Sequence, residues 1–437
     1  MYSTTTFYCL FLSLFCITII IYLIQGLDVL QPNVIVSGTM ALSVLLAAIN
    51  VDRWYYGISL LTFNSILFGI LAFCLGGLSA NNSWANKLRN EGGTSYQNRK
   101  GLFSNNVFIL VVVVILGLMS LYNWFYVIDI SKQFGSNGEY YNVLKTLRYA
   151  IEHELVVYPT RSMVYANYVA QTFAFCYIFI FIKDIIYNGI RISNVKYLFP
   201  VLMYIPFIVM TTGRILILGL VTYTLTIFTI LFYQKHDFNL NSRLKALCML
   251  IIGGCSFIIL FLVLGNFTGK TVTLERTPLV IISHYAGLSI PALDVWLKDV
   301  WVENQYIGSY TLNNIYRILM RLGFDLPPVD IFLPFTQFYN IDTNVYTAMG
   351  RYIRDFGYLG MCCLMYILGA CFTWAYQYSS RSNNPYIIML YGSVSYPLFL
   401  MSIEERFFID IFGMPLIYMM AFLYFIYLII YYNGCGE

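Results

Sequence analysis

Asn344-Val345-Tyr346-Thr347-Ala348-Met349-Gly350-Arg351-Tyr352-Ile353-Arg354-Asp355-Phe356-Gly357 closes a stretch of about ninety mostly polar residues and leads straight into the apolar run 357–377. Two arginines and an aspartate therefore stand at the lip of a membrane helix. Moving one such charge to the bilayer centre costs about 2.5 to 3.5 kcal/mol on insertion scales. Charges kept at that depth point to function.

Working outward, the composition is 59% hydrophobic, 18% aromatic and 11% charged over 437 residues, with mean hydropathy +0.70. That leaves too little polar surface for a soluble globule of this size, so the chain reads as an all-α polytopic integral membrane protein. A net charge of +4 is small for this length and gives no sign of a nucleic-acid partner.

A spanning helix needs roughly 20 apolar residues, and eleven stretches qualify: 5–25, 33–50, 59–78, 107–127, 164–183, 196–212, 214–233, 246–266, 357–377, 385–403 and 411–432. The first lacks a basic leader and a small-residue cleavage site, so it reads as a retained span. With all eleven in place, Lys87, Arg89, Arg99, Lys100, Lys183, Arg191, Lys196, Lys235, Arg243, Lys245 and Arg381 share one side, taken as cytoplasmic. The N-terminus then lies outside and the C-terminus inside. The chain reads as a single membrane domain, 1–437, with two outer excursions, 128–163 and 267–356.

Nine of the ten cysteines fall in apolar spans, Cys435 lies in the inner tail, and the outer loops hold none, so no disulfide framework is expected. His153, His236 and His284 are far apart in sequence, and there is no His-Glu-x-x-His, Cys-x-x-Cys, Walker loop or Gly-x-Gly-x-x-Gly. Neither a metal nor a cofactor is called for. Internal repeats of the kind that mark many secondary transporters are also missing.

Segment 267–356 is far longer than a connector needs and too apolar for disorder. Residues 281–298 suit amphipathic helix with a break between Gly287 and Pro291. In 311–323, Leu312, Ile315, Ile318, Leu319 and Leu322 form an apolar stripe. Such helices are expected to lie on the bilayer surface and wall a cavity.

In order and spacing, residues 100 to 375 resemble the Wzy-type O-antigen polymerases, the oligosaccharide repeat unit polymerases. The resemblance is carried by Leu147-Arg148, Thr211-Thr212-Gly213-Arg214, Tyr285 with Gly287, Asn344-Val345-Tyr346-Thr347, and Asp355-Phe356-Gly357 with Gly360. It implies a glycosyltransferase of the bacterial inner membrane with its site facing the periplasm, similar in fold to the GT-C-like enzymes that use lipid-linked donors. Donor and acceptor would both be glycans on undecaprenyl pyrophosphate, with membrane lipid around them and a chain-length-regulating co-polymerase as partner.

Guanidinium groups suit the leaving diphosphate, since they pair with phosphate in planar bidentate fashion and keep their charge. Arg148, Arg214, Arg351 and Arg354 are the candidates, with Arg276 in the same large loop. Tyr285, Asn344, Tyr346 and Thr347 join the substrate-binding set through the resemblance. An attacking sugar hydroxyl needs a general base, and Asp355, His284, Asp294 and Glu303 are open candidates, with Asp355 and His284 placed in the catalytic set beside Arg214 and Arg351. For Arg351 and Arg354, a plain ion pair with Asp355 is the competing structural role. No Asp-x-Asp is present, which suits a donor without a nucleotide. Tyr306, Tyr310, Tyr316 and Tyr339 could stack on sugars or serve as interfacial belt residues. A ligase acting on lipid A core, or a non-enzymatic repeat-unit flippase, is the alternative. A flippase predicts charges within the spans, whereas here most charges fall at ends and in loops.

Overall fold

The computed structural model describes residues 4–81, 104–153, 155–156, 158–211, 215–236, 240–267, 278–299, 306–326, 333–339 and 341–432. In chain order the elements are α1 (Thr4–Ile24), α2 (Pro32–Ala48), α3 (Val51–Trp54), α4 (Leu60–Asn81), α5 (Asn106–Gln133), α6 (Tyr140–Glu152), α7 (Arg161–Asn188), α8 (Leu198–Met210), α9 (Ile215–His236) and α10 (Leu240–Phe267). They continue with α11 (Pro278–Gly287), α12 (Ser289–Lys298), α13 (Asn313–Arg321), a hairpin of β1 (Thr336–Phe338) and β2 (Ile341–Thr343), α14 (Ala348–Arg381), α15 (Pro385–Val394), α16 (Tyr396–Leu400) and α17 (Met414–Tyr432). A π-turn, Phe407–Ile411, joins α16 to α17.

Among the described residues, eight helices are long and apolar enough to cross a membrane: Thr4–Ile24, Leu60–Ala80, Asn106–Gln133, Arg161–Asn188, Ile192–Met210, Ile215–His236, Leu279–Lys298 and Ala348–Arg381. Pro32–Ala48, Pro385–Leu400 and Met414–Ile429 are shorter apolar helices. In α1 and in α5 only 22% of the apolar window is buried inside the protein. Such surfaces are stable when lipid is the solvent, because helices satisfy their own backbone groups and expose only side chains. The fold is that of a helical membrane protein, with one small antiparallel hairpin among the described residues.

Each of the eleven expected spans overlaps a helix, but those at 33–50, 385–403 and 411–432 are the shorter apolar helices, and two stretches differ from expectation. The stretch 385–403 is not one helix: it breaks at Ser395, ahead of Pro397, into α15 and α16. The second difference concerns 279–298, expected as surface helices. Its break falls at Leu288 as the sequence predicts, yet Ser283 and nearly all of 287–297 are buried. Gly287 is needed there, because a Cβ would come within 2.9 Å of Ala47 N on α2.

Local chemistry sets several boundaries. Asn105 caps α5 by accepting from Val107 N at 2.9 Å, Pro32 opens α2, and Gly189, at φ 82°, ends α7. Gly357 interrupts α14 with φ 68° and ψ −178°, a conformation essentially confined to glycine. The kink divides α14 into a short helix, 348–356, and the apolar helix that follows. Its position coincides with the lip read from the sequence.

The chain forms two compact units. The first comprises Met1–Gly93, Arg276–Arg381 and Val394–Ile417. Its spine is the packing of α14 along α4, with α1 on α2 and α11 on α2. The backbone approach of α4 and α14 is so close that Gly76 faces the carbonyl of Tyr366 and Gly369 that of Phe73. The second unit comprises Thr94–Glu275, Ser382–Ser393 and Tyr418–Glu437. In it α7 packs on α8 and α9, α5 on α8, and α9 on α10. Its core includes Phe175 stacked on Tyr223 at 4.0 Å, with the Tyr223 hydroxyl donating to Phe175 O at 2.8 Å.

Candidate functional site

The short helix 348–356 carries the residues singled out in the sequence into the interior of the first unit. Arg351 and Asp355 are four apart and share a face. Arg351 is only 1% exposed and is among the largest fully buried side chains of the protein. Its Nη2 lies 3.8 Å from Glu404 Oε1, and its Nη1 donates to Tyr310 O at 3.4 Å. Glu404 Oε2 in turn is 2.5 Å from Arg406 Nη2, and Arg406 Nη1 lies 3.3 Å from both oxygens of Asp410. The Tyr396 hydroxyl donates to Asp410 at 3.2 Å. The result is a ladder of alternating charge running Arg351, Glu404, Arg406, Asp410. Burial works against the Arg406 charge, and Glu404 and Asp410 more than offset it, so its pKa is raised.

Glu405 faces the other way. It is 1% exposed and accepts from the Tyr352 hydroxyl at 3.3 Å and from the N–H groups of Phe408 at 2.9 Å and Ile409 at 3.2 Å. Burial pushes its carboxyl up to about 7, with those N–H groups and the charge of Arg351 pulling the other way. The sequence reading missed Glu404, Glu405, Arg406 and Asp410. Four charges in seven residues between two apolar stretches were the signal.

Arg354, beside Asp355 in the chain, packs against an aromatic ring. Its guanidinium carbon sits 4.2 Å above the ring of Trp296, a cation–π stack. Trp296 also meets Tyr346 at 4.9 Å and Tyr310 edge-on at 6.2 Å, so α12, the 306–311 turn and helix 348–356 share one aromatic wall. Tyr346 is locked by Pro334 O and Thr336 Oγ1, both at 2.7 Å. The buried Trp296 Nε1 and Thr347 Oγ1 have no hydrogen-bond partner among the described residues.

The candidate bases have structural work. Asp355 accepts from Tyr310 N at 3.2 Å and Thr311 N at 2.6 Å, tying down the turn whose carbonyl receives Arg351. Asp294 is fully buried and accepts from Ser59 N at 2.7 Å, Thr62 Oγ1 at 2.6 Å and Tyr56 OH at 2.9 Å, with Lys298 Nζ at 2.5 Å. It clamps α12 to the start of α4. His284 is half-buried, its Nε2 3.4 Å from Asp342 O, and its ring is stacked on Tyr285 at 5.9 Å. Asn344 lies between the hairpin and helix 348–356, half-buried.

Arg148 belongs to the second unit, half-buried on α6 behind the fully buried Leu147. Arg214, Arg276 and Glu303 lie outside the described residues, as do Thr212 and Gly213. Among the described residues no three His, Cys, Asp or Glu side chains gather as metal ligands.

One further surface belongs to the same unit. Tyr55, 52% exposed, and Tyr339, 74% exposed, meet at 4.9 Å, while their neighbours Tyr56 and Phe338 meet edge-on at 5.3 Å behind them. Exposed Asp52, Arg53 and Asp342 lie within four residues of these rings in the chain, and Lys298 Nζ sits 5.4 Å from the Tyr56 ring centroid.

No family model matches the chain, and neither a curated protein nor a solved structure matches it. Its chemistry is therefore read from its own residues.

Proposed function

We propose that the protein is a polysaccharide polymerase. In this reading it transfers a growing glycan from undecaprenyl pyrophosphate onto a repeat unit held on the same carrier, at the periplasmic face of the bacterial inner membrane. The observation that carries it is the burial of Arg351 behind a wall of aromatic rings at the lip of a spanning helix, with Arg354 stacked on Trp296 alongside. A fixed guanidinium in a partly water-excluded site stabilises charge growing on a leaving diphosphate, and needs no reorganisation at the moment of reaction. The lipid tail of such a donor requires a site beside a membrane helix, and Arg351 and Arg354 lie in the first turns of α14, ahead of its apolar run.

Supporting features follow the same chemistry. Trp296, Tyr310 and Tyr346 offer the flat apolar faces on which sugar rings pack, and the exposed Tyr55 and Tyr339 pair offers another. Asp355 is a positioning residue here, because it holds the turn that supplies Tyr310 O to Arg351. Among the described residues, His284 is the candidate for the proton acceptor of the attacking hydroxyl.

The test is the lipopolysaccharide ladder of cells lacking this gene, complemented with wild type or with Arg351→Ala at matched expression. Deletion that leaves core capped with one repeat unit, unrescued by Arg351→Ala, supports the polymerase. Bare core with long polymer retained on the lipid carrier identifies a ligase instead. Repeat units accumulating unpolymerised at the inner face identify a flippase.

A further inference from the structure

The ladder is graded in both exposure and distance. Side-chain exposure rises from 2% at Arg351 through 15% at Glu404 and 20% at Arg406 to 28% at Asp410. Glu404 is therefore the more exposed partner of the Arg351 pair. Its two oxygens serve two guanidiniums unequally: 2.5 Å to Arg406, a strong charge-assisted bond, and 3.8 Å to Arg351, beyond hydrogen-bond reach. Arg406 is itself held by Asp410, and Asp410 by Tyr396. The contact between Glu404 and Arg351 is the weak leg of the ladder, and breaking it leaves Glu404 still neutralised.

We propose that Glu404 is the resident counter-ion of Arg351 and that a diphosphate ester displaces it, forming the close bidentate pair that the carboxylate does not. This rests on the polymerase reading for the kind of diphosphate, an isoprenoid one, and adds to it the residue that sets how tightly the site holds its anion. Burial disfavours the Arg351 charge, and Glu404, Glu405 and Asp355 all favour it, Glu404 the most. Glu404 does so at a distance that makes it exchangeable, and Arg406 takes up its charge when it is displaced. Binding and release of the diphosphate are then an exchange of anions at Arg351, so product release does not strand a buried cation.

The test is direct binding to the full-length protein in nanodiscs, with farnesyl diphosphate and inorganic pyrophosphate as probes, by calorimetry. Glu404→Gln is expected to bind farnesyl diphosphate about 10-fold tighter than wild type, which is about 1.4 kcal/mol. Arg351→Ala weakens binding, and the double variant loses the gain. Mere structural damage at Glu404 would weaken binding, so the sign separates the two roles. Glu404→Asp, which keeps the charge but withdraws it by one methylene, serves where Glu404→Gln does not fold, and is also expected to bind more tightly. An equal gain in Asp410→Asn would mean that any deleted negative charge suffices, and overturns the exchange. So does unchanged or weaker binding in Glu404→Gln, or failure of both Glu404 variants to fold. A gain with farnesyl diphosphate alone assigns the site to a lipid diphosphate, and an equal gain with pyrophosphate assigns it to the diphosphate group by itself. Wild type that binds neither probe overturns the polymerase reading along with this one.

Discussion

Glu405 shows what burial does to one carboxyl when its hydrogen bonds come from neutral donors. Its pKa, pushed to about 7, lies above the unfolded value near 4.5. Between those two values the unfolded chain loses the proton while the folded chain keeps it, so stability falls as pH rises from about 4.5 to about 7 and then levels off. The full effect is on the order of 3 kcal/mol. Glu405→Gln should flatten the melting temperature of the purified protein across that window and raise it at pH 8. A Tm profile unchanged by the substitution would mean that Glu405 is ionised throughout. Asp294 is the opposite case, a buried carboxylate saturated with donors and next to Lys298. Asp294→Ala is expected to destabilise by about 3 kcal/mol or more, since it strands Ser59 N, Thr62 and Tyr56 at once, and Asp294→Asn by less. Thermal melts of both variants check the order.

At the scale of the element, Gly357 decides how α14 presents its first two turns. With φ 68° and ψ −178° it turns helix 348–356 away from the line of the apolar helix, so Arg351 enters the interior of its unit. The position has open space around a Cβ, so the obstacle to substitution is backbone strain and not a clash. Gly357→Ala should cost roughly 1 to 3 kcal/mol and, by straightening the joint, draw Arg351 away from Tyr310 and Glu404. The measurement is paired: a lowered Tm together with weakened diphosphate binding is expected, whereas a lowered Tm with intact binding would mean that the kink does not position Arg351. The sequence placed the start of the apolar run at this glycine, because polarity changes there. The conformation of the glycine is not visible in polarity, and neither is the close backbone contact at Gly287.

Across the whole chain, the eleven spans expected from the sequence would put 51–58, 267–356 and 404–410 on one side. The first unit brings parts of all three together at one end: Tyr56 and Ser59 with Asp294, Ser289 with Ser402 O at 2.7 Å, and Asn314 with Phe408 O at 2.9 Å. The other end of α14 has its own polar cluster, where Tyr376 donates to Asp28 at 2.6 Å. The topology makes a prediction that bears on both. In a background with the native cysteines replaced, Ile307→Cys, 75% exposed in the 306–311 turn, should be labelled by an impermeant maleimide from the periplasmic side of intact cells. Cysteine at Arg381 should react only after the inner membrane is opened. The reverse pattern would invert the orientation and place the Arg351 ladder at the cytoplasmic face.

Composition and apolar run length by themselves determined that this is a helical membrane protein and where its long apolar helices lie, because such helices satisfy their own backbone groups in lipid and are written as continuous stretches, whereas α6 within 128–163 is not marked in this way. Sequence also marked Arg351, Arg354 and Asp355, since charge at the edge of an apolar run stands out locally. The partners of these residues were decided by tertiary structure alone. Glu404 lies fifty-three residues from Arg351 and Trp296 fifty-eight from Arg354, and such pairings follow from how α12, α14 and the 401–412 segment pack. The same packing gave Asp355 and Asp294 backbone and hydroxyl partners and buried most of 287–297. Pairing and burial are properties of contacts between distant segments, and a one-dimensional pattern carries only the propensity of each segment to take part.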